Sequence, residues 1–245
     1  MSLWSLDEHE IWFPYRNEMD GDRVAIGGDL SWKRVVKGFQ RACYPFYTTG
    51  QDIAWWSPEN RAVFLLNDLQ EGKCSQLRHH HDDWSFQWDG NFETILRGCQ
   101  RSEHEENAWL HAEVMNLYRE LFFQGFAHSL EVKENGKIIG GVFGVSLGRV
   151  FFGLSMYHLV PGASKAALCY VMQFLAEKKW KVFDAQRMTP FLKQMGAIEI
   201  EREYFLDILS EEMQYGTVRG NWSETAVWSS LDAFPMTEEF PNEWI

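Results

Sequence analysis

The clearest chemical pair in this sequence is a carboxylate and an amide two positions apart, Asp184 and Gln186, at the end of a short apolar run. Strand alternation predicts that both share one face with Val182, while Phe183 and Ala185 face the other way. Polar groups on an interior strand are costly to bury without partners. The pair is therefore either a hydrogen-bonded structural pair or a site in which Asp184 orients or deprotonates an amine and Gln186 binds the amine or an oxyanion.

A second candidate site is the start of a predicted helix at Gly162-Ala163-Ser164-Lys165. A helix N-terminus attracts phosphate because its free N–H groups and its dipole favour negative charge. Ser164 would add a hydrogen-bond donor and Lys165 a positive charge. The same residues also fit an ordinary helix cap followed by a surface lysine.

Three consecutive histidines, His79, His80 and His81, follow Lys73 and Arg78. Adjacent histidines diverge in direction, and no cysteine or acidic residue nearby has metal-ligand spacing, so no metal site is expected. The segment is either a solvated polar patch or a weakened contact for RNA. A formal net charge of −12 excludes a protein that coats RNA broadly, although a local basic groove remains compatible with it.

The helices and strands predicted to position these residues indicate an α/β (α+β) fold. The chain of 245 residues is expected to form two parts. Residues 1–65 predict a small N-terminal α/β domain, in which Gly27–Ser31 forms a turn and Ser31 caps a helix from Trp32 to Cys43. Residues 66–222 predict a second domain, and residues 223–245 an acidic tail.

The second domain combines helices with a β-meander whose hairpin is marked by Asn135-Gly136, the strongest short hairpin signal. The order of helix, meander, helix, strand, short helix and strand favours an acetyltransferase-like (GNAT) fold. The predicted segments are helices at 69–81, 92–101, 112–125, 164–178 and 190–195, and strands at 84–88, 128–134, 137–147, 149–157 and 181–186. Two further segments, 198–201 and 205–209, follow the short helix.

Composition predicts a cytoplasmic protein without membrane contact. The most apolar stretch, Ile138 to Val160, contains Arg149, His158 and five glycines, which excludes a membrane span. The four cysteines form no Cys-x-x-Cys pair, and no secretory segment is present. Free buried thiols are therefore expected rather than disulfides or a metal site.

Three groups of residues, taken in order, resemble the leucyl/phenylalanyl-tRNA–protein transferases, from about Ile11 to about Trp222. They are Gly27–Ser31, Trp55–Pro58, and a downstream set formed by Gly153–Tyr157, Ala163–Lys165 and Phe183–Gln186. The resemblance implies an enzyme that moves Leu or Phe, and in some cases Met, from aminoacyl-tRNA to the N-terminal α-amine of a protein or peptide. Such a product would be degraded through the bacterial N-degron pathway. No metal or nucleotide cofactor is implied.

The resemblance also assigns roles to residues. Asp184 and Gln186 would be catalytic, and Lys73, Arg78 and the three histidines occupy the segment of the family's basic tRNA contacts. The tRNA 3′ end would contact Trp109, Ser155, Ser164 and Lys165. The aminoacyl side chain would enter a hydrophobic pocket lined by Val142, Phe151, Met156, Val171 and Phe183. Taken singly, each pocket residue fits plain core, and Trp109 fits a buried structural tryptophan.

Several positions depart from the family pattern. Leu154 stands where the family has Glu, a natural partner for a basic N-terminal residue of the acceptor. His111, Thr189 and Phe191 replace Thr, Asn and His. The preference for N-terminal Arg or Lys is therefore open. So are two alternatives: a related aminoacyl or acyl transferase with another acceptor, and a non-catalytic binding protein on the same fold.

Overall fold

The structure is a computed structural model that describes residues 3–68, 83–100 and 109–224. These residues form a mixed α/β fold with two β-sheets, which confirms the predicted fold class. The predicted helix at 69–81, with Lys73, Arg78 and the three histidines, lies outside the described residues, as does nearly all of the acidic tail. The finer assignment to the acetyltransferase-like fold stays a prediction.

The first sheet contains short strands from the N-terminal part, in the order β1-β2-β4-β3. These are β1 (Trp4–Leu6), β2 (Arg23–Gly27), β3 (Tyr44–Pro45) and β4 (Ala54–Trp56). Helix α1 (Trp32–Gln40) starts as predicted, because the Ser31 hydroxyl accepts the N–H of Arg34, but it ends before Cys43. Gly27 has φ +81°, and a Cβ there would lie 2.8 Å from the carbonyl oxygen of Leu6, so the turn requires glycine.

The second sheet has seven strands in the described residues, in the order β11-β5-β10-β9-β8-β7-β6. They are β5 (Asn60–Leu65), β6 (Trp84–Trp88), β7 (Ala127–Glu134), β8 (Lys137–Leu147), β9 (Val150–His158), β10 (Val182–Gln186) and β11 (Ile198–Glu201). Strand β5 pairs antiparallel with both β10 and β11. The predicted boundary at residue 65 would therefore separate a strand from its own sheet, and the division into domains stays a prediction.

Five more helices follow in the described ranges, and most segment bounds fall within two residues of their predicted positions. They are α2 (Phe92–Cys99), α3 (Ala112–Phe123), α4 (Ala163–Glu177), α5 (Pro190–Met195) and α6 (Arg202–Glu212). The predicted hairpin is confirmed, because Asn135 has φ +49° and Gly136 φ +75°, as a tight turn with two left-handed residues requires.

Two apolar clusters lie on opposite faces of the large sheet. One fills the space toward the first sheet, α1, α2 and α3, and includes Phe152 and Val182. The other packs under α4 and includes Phe151 and Phe183. Because neighbouring residues of one strand enter different clusters, both faces of the strand are covered, as expected for a central strand.

Two further sequence expectations concern thiols and membranes. Cys43 and Cys99 are buried thiols outside any disulfide, as expected. Cys169 in α4 is disulfide-bonded, so the expectation of free thiols is wrong for that residue. Within the described ranges, no helix is long and apolar enough to cross a membrane.

Strands β9 and β10 run parallel and then part. Their pairing covers Val150–Phe152 and Val182–Asp184, after which β9 continues to His158. The last residues of β9 are half-buried or exposed, whereas its first three are buried. We name this region the β9–β10 fork and define it as Gly153–His158 of β9 with Ala185–Gln186 of β10. The fork is therefore less covered than the rest of β9.

Candidate active site

Asp184 lies just before the β9–β10 fork, and its side chain is sealed from solvent. Nε of Arg61 donates to Asp184 Oδ1 at 2.9 Å, and Nη2 donates to Oδ2 at 2.7 Å. Both side chains are essentially inaccessible, at 1% and 0% exposure. Asp184 therefore faces no open cleft: the carboxylate is held in the core by an arginine 123 positions away in the sequence.

The charges of this pair stabilise one another. Burial of the Arg61 guanidinium opposes its positive charge, but the charge and hydrogen bonds of Asp184 outweigh this effect and raise the pKa of Arg61. Removing two ions from water is expensive unless geometry and hydrogen bonding are nearly ideal, and here both carboxylate oxygens are satisfied. Asp184 consequently has no oxygen left uncommitted for a substrate amine.

Gln186 lies at the fork itself, in an unusual backbone conformation. Its φ is +65°, and its N–H donates to Asp184 Oδ1 at 2.8 Å. The pairing of β10 with β5 shifts between Asp184 and Gln186, which leaves Ala185 as a bulge. The regular alternation predicted for Val182–Gln186 therefore breaks before Gln186.

The side chain of Gln186 has an unused donor. It is half-buried, and its Nε2 atom is inaccessible to solvent without a hydrogen-bond partner in the part of the chain that the structure describes. An unpaired buried donor costs about 1–3 kcal/mol. A left-handed non-glycine residue costs on the order of 1–3 kcal/mol more. Two unfavourable features at one residue at the mouth of a fork are typical of a functional site.

The start of α4 lies beside the far end of β9. Ser164, buried in the first turn of α4, lies with its hydroxyl 3.1 Å from Nδ1 of His158. Gly140 of β8 lets the helix approach, because a Cβ there would lie 2.8 Å from that of Ala163. Lys165 is half-buried in the same turn. The structure thus places Ser164 and Lys165 in one turn beside the end of β9, while their contact with the tRNA 3′ end stays a prediction.

The five predicted pocket residues occupy one apolar cluster. Val142, Phe151, Val171 and Phe183 are buried members of the cluster under α4, and Met156 packs against it. Phe151 and Phe183 are strand neighbours with ring centroids 5.4 Å apart, and Val142 pairs with Met156. The structure brings the set together, while its role as a pocket stays a prediction.

A bulge in β9 makes this cluster possible. Phe151 and Met156 are five residues apart and would face opposite sides of a regular strand. The β8–β9 register pairs Ser155 and Gly153 with consecutive residues of β8, which leaves Leu154 as the extra residue. After this bulge, Met156 faces the same cluster as Phe151, and half-buried Leu154 packs against the opposite one.

Trp109 belongs to an aromatic row, formed with Phe46 and Trp56, that was not predicted from the sequence. It stacks on Phe46 with centroids 5.9 Å apart, and Phe46 is 45% exposed. The indole N–H of Trp56 donates to the carbonyl of Phe46 at 2.7 Å. Arg187, the residue after Gln186, lies 4.7 Å above the Trp56 ring. These contacts connect Trp109 to the fork.

Contacts of Tyr47 restrain the neighbouring Phe46 in this aromatic row. The Tyr47 hydroxyl donates to Glu113 at 3.0 Å, and burial together with this carboxylate raises the pKa of Tyr47. His111 packs edge-on against Tyr47, and burial lowers the pKa of His111. Because Tyr47 follows Phe46 directly, this contact restrains the exposed ring. A Tyr-Pro-Phe-Tyr run is the sequence signal that could have indicated the aromatic row.

Comparison with known proteins shows which family this chain resembles. Residues 63–210 match the family model of leucyl/phenylalanyl-tRNA protein transferase. The leucyl/phenylalanyl-tRNA–protein transferase of Desulfatibacillum aliphaticivorans is 35% identical over 91% of this chain and 97% of its own length. That of Maridesulfovibrio salexigens is 34% identical over 91% and 94%.

A solved structure, L-PGS from Bacillus licheniformis, aligns with a TM-score of 0.40 and 9% identity over 65% of this chain and 50% of that chain. This likeness is too weak to support an argument. The family model covers more than half of the chain, and the relatives align over nearly all of it. The chain therefore belongs to the leucyl/phenylalanyl-tRNA–protein transferase family.

Proposed function

We propose that this protein transfers Leu or Phe from aminoacyl-tRNA to the N-terminal α-amine of a protein, and that the reaction takes place at the β9–β10 fork. Membership of the family supports the activity. The observation that supports the location is Gln186, whose buried Nε2 lacks a partner among the described residues while its backbone is held in a left-handed conformation. A bound ester would supply the missing acceptor.

Aminoacyl transfer from an ester requires positioning of the reactants rather than a strong base. The amine nitrogen attacks the ester carbonyl carbon, the bond from that carbon to the ribose oxygen breaks, and an amine proton passes to the departing oxygen. Because the ester is already activated, orientation supplies most of the acceleration. Gln186 Nε2 donates to the carbonyl oxygen as negative charge develops there. Asp184 acts through Gln186, since Arg61 occupies its oxygens.

Around Gln186, the remaining predicted residues keep their proposed roles. The terminal adenosine stacks near Trp109 and Phe46, and the 3′ end reaches Ser155 and the first turn of α4 at Ser164 and Lys165. The Leu or Phe side chain enters the cluster under α4, lined by Val142, Phe151, Met156, Val171 and Phe183. The tRNA body contacts Lys73, Arg78, His79, His80 and His81. The product, in the cytoplasm, carries a bulky N-terminal residue that marks it for degradation.

The test is a transfer assay with labelled Leu-tRNA and peptides of varied N-termini, run for Gln186→Ala. Removing one donor to a developing oxyanion lowers kcat by about 10²- to 10³-fold. Gln214→Ala, at an exposed residue after α6, is the matched control and should retain the full rate. An unchanged rate for Gln186→Ala would refute the location. Binding of Leu-tRNA without transfer by the unmodified protein would identify a non-catalytic binding protein.

One observation favours a second candidate, the same transfer to a different acceptor. Leu154, the bulged residue of β9, lies at the fork, is half-buried and cannot accept a hydrogen bond. Two carboxylates on nearby strands are already committed, Asp184 to Arg61 and Glu131 to Lys133. A fork without a free carboxylate at these positions suits an acceptor whose N-terminal side chain is uncharged. Peptides beginning with Ala, Met, Arg or Lys in the same assay distinguish the two candidates.

A further inference from the structure

We propose that Arg61 is a positioning residue for aminoacyl transfer, acting on Gln186 through Asp184. The inference rests on the proposed function, because it requires Gln186 to contact the reacting ester. Arg61 itself is buried and offers no surface to a substrate. Its effect would pass through two hydrogen-bonded steps, from the guanidinium to the carboxylate and from the carboxylate to the backbone of Gln186.

Arg61 is fixed on every side. Nε and Nη2 bind the two oxygens of Asp184, and Nη1 donates to the carbonyl of Ala42 at 2.9 Å. The guanidinium carbon lies 5.2 Å from the centre of the Tyr44 ring and 4.7 Å from that of Phe205. A planar group with three directed bonds and two aromatic neighbours has one orientation, so Asp184 also has one.

Asp184, held in one orientation, in turn restrains the backbone of Gln186. Its Oδ1 atom accepts both Nε of Arg61 and the N–H of Gln186, at 2.9 Å and 2.8 Å. The second bond holds Gln186 in the left-handed conformation that regular strands avoid. If Asp184 could rotate, this bond would weaken and the amide of Gln186 would lose its fixed direction.

Arg61 also connects the two parts of the site. Ala42, whose carbonyl it binds, has φ +57° and begins the segment that leads through Tyr44 to Phe46. Phe46 stacks on Trp109, where the terminal adenosine is proposed to lie. One guanidinium therefore holds both the segment that carries the aromatic stack and the strand that carries Gln186. Their separation determines whether a bound ester reaches Gln186.

The experiment replaces the ion pair with apolar side chains of similar size, in the double variant Arg61→Met with Asp184→Leu. Such replacements of buried ion pairs are often neutral or stabilising, so the fold should survive. We expect the single-turnover rate of transfer from labelled Leu-tRNA to fall about ten- to a hundredfold, because small misplacements at a reacting centre have effects of this size. The Kd for Leu-tRNA should change about threefold or less, since loss of one orientation leaves most contacts intact.

The matched control is Arg202→Met. Arg202 is also buried and donates to the carbonyls of Met19, Gly21 and Ser57, so its loss tests the general effect of removing a buried arginine. We expect a lower Tm with an unchanged transfer rate at a temperature where the variant is folded. Arg61→Lys, which keeps the charge but not the paired bonds, should show an intermediate rate.

A folded double variant with the unmodified rate would overturn the proposal. If that variant does not fold, Arg61→Lys decides: a full rate overturns the proposal and a reduced rate with unchanged Leu-tRNA binding supports it. Gln186→Ala separates this failure from failure of the proposed function. If Gln186→Ala is slow and the Arg61 variants are fast, only the positioning role is wrong. If all of these variants match the unmodified protein, the location of the reaction is wrong as well.

Discussion

Two arginine–carboxylate clusters in this molecule have nearly the same geometry and opposite surroundings. At the fork, Arg61 binds Asp184 through two bonds of 2.9 and 2.7 Å in the core. Between α2 and α3, Arg119 binds Glu93 through two bonds of 2.8 and 2.9 Å, with side-chain exposures of 36% and 41%. Arg97, one helical turn after Glu93, adds a third bond.

The comparison shows that bond geometry alone does not determine what an ion pair does. Water and salt screen the exposed cluster, so such pairs contribute about 0–1 kcal/mol each. In the core, loss of one partner leaves an uncompensated charge, which makes the buried pair an all-or-none unit. The exposed cluster joins two helices. The buried one joins the two parts of the proposed site and orders Gln186.

The largest effect on stability should follow from Asp184→Ala. It leaves the Arg61 guanidinium buried without its counter-ion, and the free energy of unfolding should fall by about 3–5 kcal/mol. Chemical denaturation measures this change. Asp207→Ala removes one of the two exposed partners of Arg16, the other being Glu203, and should change stability by about 1 kcal/mol or less. Equal effects of the two substitutions would show that burial does not distinguish the pairs.

An intermediate effect is expected from Leu154→Glu, which adds an unpaired carboxylate to the fork. A hydrogen bond to a charged group contributes about 1.5–3 kcal/mol. For peptides beginning with Arg or Lys, kcat/KM should therefore rise roughly ten- to a hundredfold, at 1.36 kcal/mol per tenfold. Asp184 cannot already supply this charge, because Arg61 neutralises it.

Peptides beginning with Ala are the control in this comparison and should react at an unchanged rate. Should the unmodified protein already prefer Arg and Lys strongly, and the substitution add nothing, another acidic group serves the acceptor. The inference from Leu154 would then be wrong.

The smallest effect should come from Glu93→Gln in the exposed cluster, about 0.2–1 kcal/mol of unfolding free energy near neutral pH. Hydrogen bonds from Arg119, and further from Arg97, lower the pKa of Glu93 to about 2, against an opposing effect of burial. A lowered folded-state pKa gives stability that is complete above the unfolded value of about 4.3 and is lost as pH falls toward 2.

The unmodified protein should thus lose slightly more stability than the Glu93→Gln variant between pH 5 and pH 2. Denaturant unfolding at a series of pH values, at low salt, measures the difference. Parallel stability curves for the two proteins would mean that solvent screening removes the contribution of Glu93 entirely.

Local patterns in the sequence were sufficient to predict most elements. Asn135-Gly136 gave the hairpin, Ser31 the start of α1, and Pro190–Met195 the bounds of α5. Each of these features depends on neighbouring residues, whose backbone preferences and hydrogen bonds are short-range. The family motifs also marked the strand end that carries Asp184 and Gln186, and the two lie at the predicted place in the fold.

Tertiary structure decided which of these groups meet and which are accessible. Arg61 binds Asp184 in the core from 123 positions away in the sequence. The bulges at Ala185 and Leu154 change the direction in which the following residues, Gln186 and Met156, face. A bulge is set by the register between strands, and a buried ion pair by the packing of distant segments. Neither leaves a signal in the local pattern. The sequence therefore determined the elements and the chemistry available, whereas long-range pairing determined that the Asp184 carboxylate is bound by Arg61 while the amide donor of Gln186 stays unpaired among the described residues.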